Sequence, residues 1–142
     1  MNYVECMGGI KSQRKLAENV VDFCIADLMP RFKTLDISVS INDISKDKVK
    51  GWCMAITSRE FEIEVDSNQS HKSLIKTVCH EMVHVWQHAT GMLHDNHWNG
   101  VDHSASEYID RPWEIQAYNF ETNLYKKFLS TIKKDYFSEK NC

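Results

Sequence analysis

His80 and His84 stand four residues apart, with Glu81 between them, in the run His80-Glu81-Met82-Val83-His84. On an α-helix that spacing puts both imidazoles on one face, with Cβ atoms about 5–6 Å apart. Two rings so placed can reach one zinc ion at roughly 2.0–2.1 Å. Glu81 is turned about 100° from His80 around the helix, so its carboxylate reaches a water beside the metal rather than the metal itself. This is the H-E-x-x-H pattern, whose chemistry is activation of water for hydrolysis with the glutamate as general base. Chance supplies roughly 0.02 such matches in a chain of this composition. The bland alternative is a helix whose histidines line a polar face.

A hydrolytic zinc takes three protein ligands and leaves one position open. The third comes from His88, His94, His97, His103, Glu107 or Glu114; all seven histidines lie between His71 and His103. The metzincin pattern is excluded, because Gln87 and Thr90 occupy the places where it needs glycine and histidine. His88 would put three ligands in line along one helix, which cannot surround a tetrahedral ion. Glu114 is the best placed, in the first turn of a helix opened by Pro112, with small Ala117 allowing close approach of a second helix. With Arg111 as N-cap, the same Glu114 would sit at N3, where a carboxylate stabilises a helix start. Sequence geometry leaves these two readings level.

The elements that must hold these residues follow from hydrophobic period. Residues 1–10, with Gly8-Gly9, read as a mobile or loosely docked start. Leu16, Val20, Phe23, Cys24 and Leu28 predict a helix from about Ser12, its cap, to Met29, before Pro30. Three strands follow. Ile37, Val39 and Ile41 alternate with polar residues. Trp52, Met54 and Ile56 share one side of the run from Val49 to Thr57. Phe61, Ile63 and Val65 share one side of the run from Arg59 to Asp66. Glu60, Glu62 and Glu64 on its other face mark that third strand as an exposed edge. Residues 71–90 carry two apolar stripes, Leu74, Val78, Met82, Val85 and Ala89 beside Ile75, Cys79, Val83 and Trp86, which predicts a central helix ended by Gly91. Residues 91–110 read as a loop, and Pro112 to about Lys134 as a last helix. The order predicts one α+β domain over residues 1–142.

Bulk properties narrow the function classes. The 142 residues carry 17 basic and 20 acidic groups, net charge −3, which gives no overall footprint for nucleic acid. Lys126, Lys127, Lys133 and Lys134 could form a local basic patch, or simply a solvated helix face. Five cysteines without a C-x-x-C pair argue against a disulfide framework or cysteine zinc site and for a reducing cytosol. No signal peptide is visible, and no run approaches the ~20 apolar residues of a membrane span.

The stretch Cys79-His80-Glu81-Met82-Val83-His84-Val85-Trp86-Gln87 resembles the active-site helix of SprT-like zinc metallopeptidases. The stretch Tyr108-Ile109-Asp110-Arg111-Pro112-Trp113-Glu114-Ile115-Gln116-Ala117-Tyr118 resembles the downstream segment of phage-type, minimal gluzincin relatives, in which a Pro-Trp-Glu-x-x-Ala-like sequence supplies a glutamate ligand. The likeness spans roughly residues 60–121. It implies a zincin-like core, one zinc ion (Zn2+) on His80, His84 and Glu114, Glu81 as catalytic base, and a peptide or protein substrate in a cytoplasm, the host's if the chain is phage-encoded. It also implies that a substrate pairs with the strand before the motif helix. SprT proteins proper take a third histidine from a His-Gly-x-x-Phe-like segment; His97-Trp98-Asn99-Gly100-Val101 lacks the glycine after the histidine, which favours Glu114. Only Cys142 follows Cys79, so no zinc ribbon is expected, and a DNA-directed role does not follow. Tyr108, Tyr118, His94, His97 and His103 are candidates to stabilise an oxyanion, and Glu121 to orient a ligand histidine. Two other classes stay open: a zinc amidase or other hydrolase, and a zinc-stapled binding module without turnover.

Overall fold

A computed structural model describes residues 1–140, with side chains through Ile132. The chain runs β1 (Tyr3–Gly8), α1 (Lys11–Leu28), β2 (Asp36–Asn42), β3 (Gly51–Ala55), β4 (Glu60–Asp66), α2 (His71–Ala89), three two-residue strands β5 (Leu93–His94), β6 (His97–Trp98) and β7 (Val101–Asp102), then α3 (Pro112–Lys140). The class is α+β. The main sheet has order β1-β2-β4-β3, with β1, β2 and β4 parallel and β3 antiparallel to β4. Among the described residues, no helix is long and apolar enough to cross a membrane.

One face of the sheet makes the core. Ile37, Val39 and Ile41 of β2 and Phe61, Ile63 and Val65 of β4 are buried against Ala17, Val20, Val21 and Cys24 of α1 and both apolar stripes of α2. Thirteen of the 19 residues of α2 are buried, which makes it the central helix. Ser70 caps it, its hydroxyl accepting from the Ser73 amide at 3.1 Å. α3 packs on α2 through Ala117, Leu124 and Phe128, with Trp86 stacked on Phe120 at 5.6 Å. Phe128 also meets Phe23 of α1 edge-on at 5.6 Å.

Four sequence expectations need correction. The first ten residues are not a loose start: β1 pairs with β2 from Tyr3–Asp36 to Gly8–Ile41. Gly8 ends it at φ +79°, where an added Cβ would collide with the Ile41 carbonyl oxygen. The cap of α1 is at Ile10, whose amide donates to the Gln13 side chain at 3.0 Å; Ser12 lies exposed in the first turn. β4 is not an edge, because β2 and β3 pair with its two sides; the edge beside it is β3. Residues 91–110 are not structureless, since β5, β6 and β7 form a small antiparallel sheet whose turns use positive φ at Asp95, Asn96, Asn99 and Gly100. The side chains of Lys133 and Lys134, and Cys142, lie outside the described residues.

In β3 the large apolar side chains point away from the core. Trp52 and Met54 are exposed, while Cys53 and Ala55 face inward, because α2 crosses close by. A Cβ at Gly51 would lie 2.8 Å from Thr77 Cγ2, so only small residues fit that side. Removing core volume should therefore cost far more than trimming the outer face. Ile63→Ala is expected to lower the unfolding free energy by about 2–5 kcal/mol in urea, and Met54→Ala by about 0.5 kcal/mol or less. Equal losses would contradict this assignment of faces.

Candidate metal centre

His80 and His84 lie on the part of α2 that faces α3, Glu81 lies about 100° round the helix from His80, and all three are buried. Glu114, in the first turn of α3, reaches across to them and is buried too. Its Oε1 lies 3.0 Å from His80 Nε2 and 3.2 Å from His84 Nε2. The rings stand nearly perpendicular, with centroids 4.9 Å apart. The Arg111 carbonyl accepts from the Glu114 and Ile115 amides at 3.0 and 3.1 Å, so the start of α3 is fixed by backbone. The Glu114 carboxylate is spent on the histidines. Between capping and ligation, the two readings left level by sequence, the geometry sides with the histidine pair.

The far side of each ring fixes its tautomer. His84 Nδ1 lies 2.8 Å from Gln87 Oε1. Gln87 Nε2 donates to the Trp113 carbonyl at 3.0 Å and to Gln116 Oε1 at 2.9 Å. A carbonyl only accepts, so the amide nitrogen must face Trp113 and the amide oxygen must face His84. His84 Nδ1 therefore carries a proton. His80 Nδ1 lies 3.2 Å from Glu121 Oε1, and an ionised carboxylate also only accepts, so that nitrogen carries a proton as well. Both Nε2 atoms thus converge on Glu114 Oε1. Each either donates a proton to that oxygen or gives its lone pair to a cation shared with it. Either way positive charge belongs at this point.

The electrostatics agree. Burial alone would lower the His80 pKa, but the hydrogen bonds to Glu114 and Glu121 and the charge of Glu81 overcome it and raise it to about 10. For His84 burial likewise works downward, and the bond to Glu114 and the Glu81 charge reverse it. Burial would raise Glu114; the two histidines hold it far below the ordinary carboxylate range instead. Burial pushes Glu81 up, against the pull of His84 and His80. Two imidazoles and one carboxylate, all largely out of water, make a donor set that fits a divalent cation, and Glu81 and Glu121 add negative charge beside it. The ligand atoms of His80, His84 and Glu114 all lie within 4.8 Å of one another, and the group could hold a metal ion.

The other proposed ligands lie elsewhere. His88 is half-buried, tilted against Phe61 with ring centroids 6.3 Å apart. His94 is exposed beside Asp95, and His97 is exposed with Nδ1 2.9 Å from the Asp95 carbonyl. His103 rests edge-on to Trp113 at 6.1 Å, and Glu107 is exposed. Tyr118 sits edge-on to His80 at 4.6 Å. With Tyr108 it lines a cavity of about 630 Å³ that also exposes Glu81, Glu121 and His80. Burial, then the Glu114 charge and Tyr118, raise the Tyr108 phenol, which keeps its proton. Gln87 has no place among the sequence candidates. Its signal is a lone amide three residues after His84 in a helix with apolar stripes, and it is fully buried.

No family model, curated protein or solved structure matches the chain. If Gln87 holds the His84 ring through its amide, Gln87→Leu should weaken divalent metal binding about 10–100-fold. Competition with a chromogenic chelator measures this, with thermal unfolding as the folding control. Native affinity in a folded Gln87→Leu chain would show that the bond does not matter.

Proposed function

We propose that this chain is a zinc metallopeptidase with one zinc on His80, His84 and Glu114, and that Glu81 is its general base. The observation that carries the reading is the position of Glu81. It is 5% exposed, sits next to the histidine pair, and opens into the cavity. A purely structural metal site has no use for a buried carboxylate there. The two imidazoles and one carboxylate suit zinc, and one protein oxygen with two nitrogens is the ligand count of a hydrolytic site. When bound, zinc polarises a carbonyl and lowers the pKa of water at its open position.

The chain's own residues do the rest. The Glu81 carboxylate accepts a proton from the attacking water and passes it to the leaving amine. Burial works against its charged form and so raises its affinity for a proton. Tyr108 and Tyr118 present phenol groups to the same cavity and supply donors for a developing oxyanion. Gln87 and Glu121 hold the two rings. A peptide substrate pairs with the free edge of β3, whose first residue Gly51 lines the cavity, and not with β4, which is paired on both sides. The α2–α3 arrangement, with two histidines on one helix and a glutamate on the next, is consistent with the minimal gluzincin, zincin-like architecture that the motif resembles.

Incubation of the zinc-loaded chain with a broad panel of peptides and unfolded proteins, read by mass spectrometry, tests this. Cleavage is expected. Glu81→Gln should lower kcat by about 10²–10⁴-fold while still binding one zinc. No cleavage across the panel by the native zinc form would overturn the reading, and unchanged kcat in Glu81→Gln would remove Glu81 from its role.

A further inference from the structure

The cavity that exposes Glu81 has two chemically different ends. One holds His80, Glu81, Glu121 and the tyrosines. The other is lined by four lysines: Lys48 and Lys50 on the segment leading into β3, and Lys72 and Lys76 on the first turns of α2. Among the described residues none of the four is in an ion pair. Lys76 is steadied by the face of Tyr125, 5.1 Å away. The backbone of Lys50 is fixed, its carbonyl accepting from the Asp66 amide at 2.8 Å and from Gln69 Nε2 at 3.3 Å. Gly51 lies against Thr77, which brings the segment before β3 beside the first turns of α2, and all four lysines line the same cavity. The amino-terminal end of α2 adds its partial positive charge there. This concentration stands against a chain of net charge −3.

We infer that the cleft selects peptides carrying acidic side chains on one flank of the scissile bond, bound by Lys48, Lys50, Lys72 and Lys76. As a statement about substrates this rests on the peptidase reading; the anion recognition does not. Along α2, Lys76 is about 6 Å and Lys72 about 12 Å before His80. At about 3.3 Å per extended residue these are roughly two and four substrate positions from the reacting bond. A peptide places charge at that flank alone. A uniformly charged strand such as a nucleic acid would also meet Glu81 and Glu121 at the centre.

Binding of fluorescein-labelled peptides to the zinc-loaded Glu81→Gln chain, followed by anisotropy, separates the possibilities. One peptide carries paired glutamates on one flank, and its counterpart carries glutamines. The acidic peptide is expected to bind about fivefold more tightly or better, with the gap narrowing as salt rises. The gap should close in the chain that also carries Lys48→Gln, Lys50→Gln, Lys72→Gln and Lys76→Gln, with circular dichroism confirming that it folds. Equal binding of the two peptides, or a gap that survives the four substitutions, overturns the inference. So does a single-stranded oligonucleotide that displaces the acidic peptide at lower concentration, which would make the lysines a phosphate site. Lysine-dependent binding without cleavage by the native zinc form would instead retire the peptidase reading and leave the anion selectivity standing.

Discussion

The convergence of two imidazole nitrogens on one Glu114 oxygen is the interaction on which the rest of the structure depends. Buried carboxylates are costly unless a positive charge or several hydrogen bonds meet them. Glu114 is met by both histidines, and the histidines are in turn held from behind by Gln87 and Glu121. Removing any one of these would leave a buried charge or a buried donor alone. The packing of α3 on α2 is tied to this demand. Gln87 reaches the Trp113 carbonyl and Gln116, so the amide that orients His84 also joins the two helices. Ala117, fully buried one turn after Glu114 side by side with α2, gives the room for it.

The legibility of the site follows from how local its signals are. His80, Glu81 and His84 lie within one helix, and the helical period puts them together with no knowledge of the fold. Glu114 needed a second helix, but Pro112 and Ala117 marked its start and its close side. Gln87 was not legible as an orienting residue, because its meaning comes from Trp113 and Gln116 across an interface. The lysine-lined end is similar. Lys48 and Lys50 become neighbours of Lys72 and Lys76 only when β3 lies against α2.

The fold shows the same division. α1, α2, β2 and β4 declared themselves through apolar period and stand within a residue or two of expectation. β1 did not, since only Val4 and Cys6 turn inward and its partner lies beyond a whole helix. Glu60, Glu62 and Glu64 make β4 read as an edge. Those residues face the uncovered side of the sheet, and a charged face says nothing about which neighbours pair with the strand. Trp52, Met54 and Ile56 do share one side of their run, but it is the exposed side, because the close crossing of α2 leaves space on the other only for Gly51, Cys53 and Ala55. Tertiary crowding overrode hydrophobicity there.

The central claim is that His80, His84 and Glu114 together hold one metal ion. Elemental analysis of purified Glu114→Ala beside His97→Ala tests it most directly, because His97 sits in an exposed turn and Glu114 between the two rings. One zinc per chain in the native protein and in His97→Ala, with zinc lost from Glu114→Ala, is the predicted result. Full zinc in Glu114→Ala, or its loss from His97→Ala, would contradict it.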